Sequence, residues 1–118
     1  MLYKNAELLD GQFHLIHADL RTEGAYIAEI GQNLQDEQVT DLSGCLLLPG
    51  FVDIHIHEDP YECEKDEFAI CISECMLRMG VTTVIGGNCG IGPQNTIDYL
   101  KGVARKGYPV NIGLMSAH

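Results

Sequence analysis

Basic residues are scarce in this chain. Seven Lys and Arg stand against 17 Asp and Glu among 118 residues, giving a formal net charge of −10. Nucleic acid and anionic membrane surfaces both demand clustered cations, so neither is an expected partner. Long hydrophobic runs are missing too: no stretch approaches the roughly 18 consecutive apolar residues that span a bilayer. The opening Met1-Leu2-Tyr3-Lys4-Asn5 lacks the basic-then-apolar layout of a secretion signal. Nor is there an internal repeat, a low-complexity tract or a disulfide-framework spacing. The five cysteines, Cys45, Cys63, Cys71, Cys75 and Cys89, are odd in number. That fits reduced thiols in a cytosol better than a cross-linked secreted domain. What remains is an ordinary globular composition, 46% hydrophobic and 20% charged, long enough for one modest core and expected to be cytoplasmic.

Up to residue 48 the chain reads as short apolar runs: Tyr3–Leu9, Phe13–Thr22, Ala25–Ile30, Val39–Leu42 and Cys45–Leu48. Asp10-Gly11, Glu23-Gly24, Gly31 and Ser43-Gly44 punctuate them. Turn signals at this spacing predict a small antiparallel β unit over 1–48 with little core of its own. At Pro49-Gly50 the pattern changes. Phe51–His57 reads as a strand and Glu58–Lys65 as a polar loop. Asp66–Met79 follows as a helix, with Asp66 as N-cap and Gly80 as stop. Phe68, Ile72, Cys75, Met76 and Met79 share one face of that helix, and Cys71 and Cys75 are expected to point into the core. Val81–Ile85 is a β-branched strand, Asn95–Lys106 a second helix with Ile97, Leu100 and Ala104 on one side, and Pro109–Met115 a third strand. Alternation of this kind over 49–118 predicts an α/β unit with parallel strands and right-handed crossovers.

The candidate chemistry lies at the ends of those strands. Alternation along an extended chain turns His55 and His57 to the same side. Loops at the C-terminal ends of parallel strands carry the chemistry in such folds. His55 and His57 end the first strand, Cys89 follows the second, and His118 ends the third. Two imidazoles with acidic Glu58 and Asp59 beside them suit a divalent metal, although a bare His-x-His equally describes a strand whose histidines hydrogen-bond to neighbours. Cys89 has three readings: a metal ligand, a nucleophile with His118 as base, or a small filler in a tight turn. Gly86-Gly87 and Gly90-Ile91-Gly92 match neither the dinucleotide fingerprint nor the P-loop. They let the backbone turn closely around a site.

Against this background, Leu46–Asp59, "LLLPGFVDIHIHED", resembles the first barrel strand of the amidohydrolase superfamily, whose metal-binding His-x-His follows a Pro-Gly-Phe-(Ile/Val)-Asp lead-in. "ADLRTEGAYIAEIG" and "VTDLSGCLLLPG" resemble the small β-sandwich segment that opens those enzymes. "GVTTVIGGNCGIGP" is similar to the N-acyl-D-amino-acid deacylase (D-aminoacylase) branch, where an Asn-Cys-Gly loop supplies a metal-ligand cysteine, and "VNIGLMSAH" resembles that branch's third strand.

The resemblance implies a β-sandwich segment over 1–48 and an incomplete (β/α) TIM-barrel start over 49–118. It makes His55, His57 and Cys89 ligands to zinc, with one or two divalent ions in the family, and His118 a substrate contact. The family's acid/base aspartate and two further histidines come from later strands, so no catalytic acid or base is expected within this chain. Ala117 before His118 departs from the branch's Gly-His pattern. The implied reaction is hydrolysis of small-molecule N-acyl amides of D-amino acids. A dihydroorotase- or hydantoinase-like cyclic amide hydrolase is the nearest alternative, and a non-catalytic metal-binding or self-associating module the third. Three strands against a barrel's eight lead to the expectation of the N-terminal portion of a longer enzyme. It would be inactive alone, and associated with its C-terminal part or with further copies of itself.

Overall fold

The computed structural model describes residues 1–116, arranged as two compact units, Met1–Pro49 and Gly50–His118. The first is a five-stranded sheet of β1 (Leu2–Leu9), β2 (Leu15–Glu23), β3 (Tyr26–Gly31), β4 (Val39–Asp41) and β5 (Leu46–Leu47). β1 lies between β2, antiparallel to it, and the short β4 and β5, which both run parallel to it. The expected unit was antiparallel throughout. The 30s loop instead carries the chain across before it returns to β1, and such loop-mediated returns leave no signal in strand periodicity.

Ala6, Leu8 and Ala18 form the small core of this sheet, with Ile16, Leu42 and Leu47 packed against it. Asn5 adopts a left-handed φ of 59° where the β1–β2 register shifts. The buried carboxylate of Asp19 accepts the Asn5 amide at 2.9 Å and the Leu34 amide at 3.0 Å. One polar side chain thus satisfies both the bulge and the loop, as burial of backbone donors requires.

In the second unit, β6 (Phe51–Asp53), β9 (Val81–Gly86) and β10 (Asn111–Leu114) form a parallel sheet in the order β10-β9-β6. Helices α1 (Ile72–Arg78) and α2 (Thr96–Lys106) occupy the connections. Ile56, Val84 and Val110 are its buried apolar centre, joined by Met76, Val81, Tyr108 and Ile112. The strand-helix-strand-helix-strand order follows the periodicity of the sequence.

The first helix is shorter than predicted. Tyr61–Glu62 (β7) and Glu67–Phe68 (β8) pair as a hairpin where a polar loop and the helix start were expected. Asp66 has φ 54° in the turn between them and caps nothing. The cap comes from farther away. Asp59 accepts the amides of Cys71 (2.8 Å), Ile72 (2.6 Å) and Ser73 (3.1 Å), together with the Ser73 hydroxyl. Cys71 and Cys75 are exposed rather than core-facing, as is Met79, while Ile72 and Met76 are half-buried. Starting at Ile72 leaves the helix too short to bury the whole predicted stripe.

The second helix also turns a different side inward. Asn95 caps it by accepting the Ile97 and Asp98 amides, both at 3.1 Å. Its buried residues are Tyr99 and Gly102, while Ile97 is 66% exposed and Ala104 is exposed. Tyr99 meets Phe68 and Tyr61 edge-on, at centroid distances of 5.1 and 6.0 Å. A Cβ on Gly102 would stand 3.0 Å from the Tyr61 ring and 3.2 Å from that of Phe68. Aromatic packing, with a glycine permitting close approach, outweighed the aliphatic stripe.

Asp66 binds this hairpin to α2. It accepts from Tyr61 at 2.6 Å and pairs with Arg105 and, at 3.1 Å, with Lys106. Those contacts, the Tyr61 hydroxyl first and the two cations after it, hold its carboxyl well below the ordinary carboxylate range. A depressed folded-state value means that the stabilisation is complete above the unfolded pKa of about 3.9 and vanishes as pH falls through the folded one. Asp66→Asn is therefore expected to lower the urea midpoint modestly at neutral pH. The deficit should shrink steadily as the pH is taken from about 5 towards about 2. A deficit independent of pH would contradict this assignment.

Candidate metal centre

β6 ends two residues before the first histidine. Asp53 accepts the His55 amide at 2.9 Å, closing an Asx turn that bends the chain after the strand. The predicted strand to His57 is thus cut short. Pairing with β9 resumes at Ile56, whose N–H donates to the Ile85 carbonyl at 3.2 Å. Ile56 is buried and the histidines flanking it are exposed. Ile54, which strict alternation would place inside with Ile56, is instead 72% exposed, so Ile56 alone anchors this arm.

Cys89 arrives from the turn after β9. Gly87 (φ 75°) and Cys89 (φ 59°) are both left-handed, within the short 3₁₀ turn Asn88–Gly90 and its start. A Cβ on Gly87 would collide with the Met115 carbonyl oxygen, so this position requires glycine for space as well as for φ. Cys89 has no such excuse. A β-carbon in this region costs on the order of 1–2 kcal/mol, and strain of this type collects where function over-determines the backbone.

Asn88, buried, sends its side-chain amide to the Ile85 carbonyl at 2.7 Å and the Ile56 carbonyl at 3.2 Å. It therefore ties the residue before His57 to the loop that carries Cys89. Nothing in the reading of the Asn-Cys-Gly triplet assigned that role to the asparagine. The signal available was a polar side chain in a glycine-rich turn, which must satisfy itself when buried.

The outcome is a cluster. The donor atoms of His55, His57 and Cys89 all lie within 4.8 Å of one another, and all three residues are exposed. His55 Nε2 is 3.2 Å from Cys89 Sγ, and the two imidazoles stand edge-on with centroids 6.2 Å apart. Around a tetrahedral zinc ion, with Zn–N about 2.0–2.1 Å and Zn–S about 2.3 Å, a nitrogen and a sulfur ligand are separated by about 3.5 Å. The donor set and its spacing fit such an ion. His118, the fourth residue singled out in the sequence, lies outside the described residues.

Beside the cluster is a hollow of about 640 Å³, lined among others by Glu58, Tyr61, Glu62, Glu64 and Tyr99. None of the three donors lines it. Asp59, itself part of this wall, has its side chain fully buried and accepts the Tyr108 hydroxyl at 2.7 Å, while Tyr99 donates to the Asp59 carbonyl at 2.9 Å. Burial alone would raise the Asp59 pKa, but the bonds from Ser73, Tyr108, Ile72 and Cys71 together hold it below the ordinary value. Burial pushes the phenols of Tyr99 and Tyr108 up, which keeps them neutral donors. Asp59 is thus a scaffold for the arm that carries His57, not a ligand.

Comparison with known proteins gives four further findings. A model described as "Amidohydrolase family" matches residues 38–110, more than half of the chain. The dihydroorotase of Lactobacillus johnsonii (strain CNCM I-12250 / La1 / NCC 533) is 36% identical over 95 residues, 79% of this chain and 22% of that protein. The D-aminoacylase of Alcaligenes xylosoxydans xylosoxydans is 43% identical over 77 residues, 63% of this chain and 15% of that protein. A solved structure of D-aminoacylase, an enzyme with a binuclear metal centre, superposes with a TM-score of 0.79 at 24% identity, a likeness of fold. It covers 99% of this chain and 29% of that one. The chain thus spans less than a third of the length of each of these three proteins.

Proposed function

Since this chain belongs to the amidohydrolase family, we propose that His55, His57 and Cys89 hold a divalent metal, zinc by the softness of a thiolate–imidazole set. The observation that carries this reading is the convergence of the three donor atoms within 4.8 Å. It brings together two residues from the arm after β6 and one from the loop after β9. In this reading residues 1–48 are the β-sandwich segment, and 49–118 supply the first three strands of a barrel.

A metal at such a place acts as a Lewis acid and brings a bound water's pKa towards about 7. The chain's own residues supply the rest of what can be assigned. His55 and His57 would hold the ion through imidazole nitrogens and Cys89 through its sulfur. Asn88 holds the two arms in register through the carbonyls of Ile56 and Ile85, and the Asx turn at Asp53 aims His55.

The reaction proposed for the whole polypeptide is hydrolysis of a small-molecule amide C–N bond. The Asn-Cys-Gly loop favours linear N-acyl amides of D-amino acids. The Lactobacillus johnsonii dihydroorotase, matching more of the chain, favours cyclic amides as the second reading. The zinc-supplied 118-residue chain and the longest product of its gene would be assayed side by side on N-acetyl-D-amino acids, dihydroorotate and a 5-substituted hydantoin. The expected result is turnover of N-acetyl-D-amino acids by the longer product and none by the 118-residue chain. Turnover of the cyclic amides alone would install the second reading, and metal binding without turnover of any of the three would remove both.

A further inference from the structure

Glu58 is the residue after His57, and its carboxylate reaches across to the turn that follows β9. Its Oε2 accepts the Gly87 amide at 3.0 Å, two residues before Cys89. The same oxygen passes close over Gly86, the last residue of β9, in the space that a Cβ would take there. Glu58 itself is half-buried. A charge-assisted bond from a carboxylate to a backbone amide is roughly twice as strong as a neutral one. The Gly87 amide belongs to a left-handed turn, φ 75°, outside the strands.

We propose that Glu58 is a positioning residue of the metal centre. It locks the loop that carries Cys89 against the arm that carries His57, so that thiolate and imidazoles are held at ligand spacing before the ion arrives. This rests on the metal reading of His55, His57 and Cys89. The geometry singles out Glu58 because His57 is bracketed by two ties to the same loop. Asn88 reaches the Ile56 carbonyl on one side, and Glu58 reaches the Gly87 amide on the other. The asparagine tie is between buried groups and bound up with folding. The Glu58 tie is only part-buried, so its removal is expected to leave the fold intact. Partners of this kind, one step behind the ligands, typically change metal affinity by about 10–100-fold.

The test is a zinc titration, by competition with a chromophoric chelator, of the 118-residue chain and its Glu58→Ala, Glu58→Gln and Cys89→Gly variants. Thermal unfolding of each metal-free protein is recorded alongside. Glu58→Ala should bind zinc about 10–100-fold more weakly, with metal-free unfolding little changed. Glu58→Gln keeps an oxygen that can accept from Gly87 and should recover most of the affinity. Wild-type affinity in Glu58→Ala would overturn the proposal. So would a glutamine variant as weak as the alanine one, which would make charge rather than the bond responsible. The cysteine variant separates the two ideas. If it binds zinc as tightly as the wild type, the metal reading has failed and the role of Glu58 falls with it. If it alone loses zinc, the metal reading stands and only the role of Glu58 is overturned.

Discussion

Cys89→Gly is expected to cost the protein its metal while leaving its fold as stable as before, or slightly more so. The expectation has two parts, because Cys89 does two opposed things. Its backbone is left-handed at φ 59°, where glycine is at ease and a side chain is strained by on the order of 1–2 kcal/mol. Removing the side chain relieves that strain. Its thiol is exposed, so no buried contact is lost. The same thiol lies 3.2 Å from His55 Nε2, in a cluster that has only three donors among the described residues. Loss of one of three ligands should exceed the 10–100-fold typical of outer-sphere changes. A drop in zinc affinity of about 100-fold or more is expected, with urea unfolding of the metal-free chain unchanged or shifted upward. A structural filler would behave the opposite way, with stability falling and metal affinity undisturbed.

Asp59→Ala should be the most destabilising single truncation in the second unit. The carboxylate is fully buried and takes three backbone amides at the start of α1, the Ser73 hydroxyl and the Tyr108 hydroxyl. Alanine leaves all of these donors unanswered in a place that water cannot readily reach, and each orphaned buried group costs about 1–3 kcal/mol. Some will find water as the first turn of α1 frays, so the net expectation is about 4 kcal/mol, a large share of a typical domain's 5–15 kcal/mol. Urea denaturation would measure it, and amide exchange at Ile72 and Ser73 would locate it. Asp59→Asn preserves one accepting oxygen and should fall between alanine and wild type. A loss below about 1 kcal/mol for alanine would mean that the helix start does not depend on this cap.

Asp59 also shows where the sequence was legible and where it was not. The order strand, helix, strand, helix, strand could be read because periodicity and punctuation are local, and the ends of β9 and α2 fall where glycine places them. The start of α1 could not, since its cap lies a hairpin's length upstream, and a cap reached through tertiary contact has no fixed spacing. Asp66, a good cap by composition, was taken instead by Tyr61, Arg105 and Lys106. The buried side of α2 does not follow its aliphatic residues for a related reason. Tyr99 contributes apolar area through its ring and a donor through its hydroxyl, and an aliphatic stripe counts only the first.

The parallel returns of β4 and β5 to β1 depend on loop closure that strand patterns do not encode. The three-donor cluster was legible because a His-x-His just past one strand and a cysteine loop just past the next lie at the same end of a parallel sheet. Glu58 and Asn88, which hold that cluster together, were not, because their partners are backbone groups on the other arm.

The most direct measurement is X-ray absorption at the zinc edge of the metal-loaded chain. Ligation by His55, His57 and Cys89 predicts one sulfur at about 2.3 Å and two imidazole nitrogens at about 2.0–2.1 Å from the ion. The sulfur shell should disappear in Cys89→Gly. A first shell of oxygen and nitrogen alone in the wild-type chain would contradict that ligation.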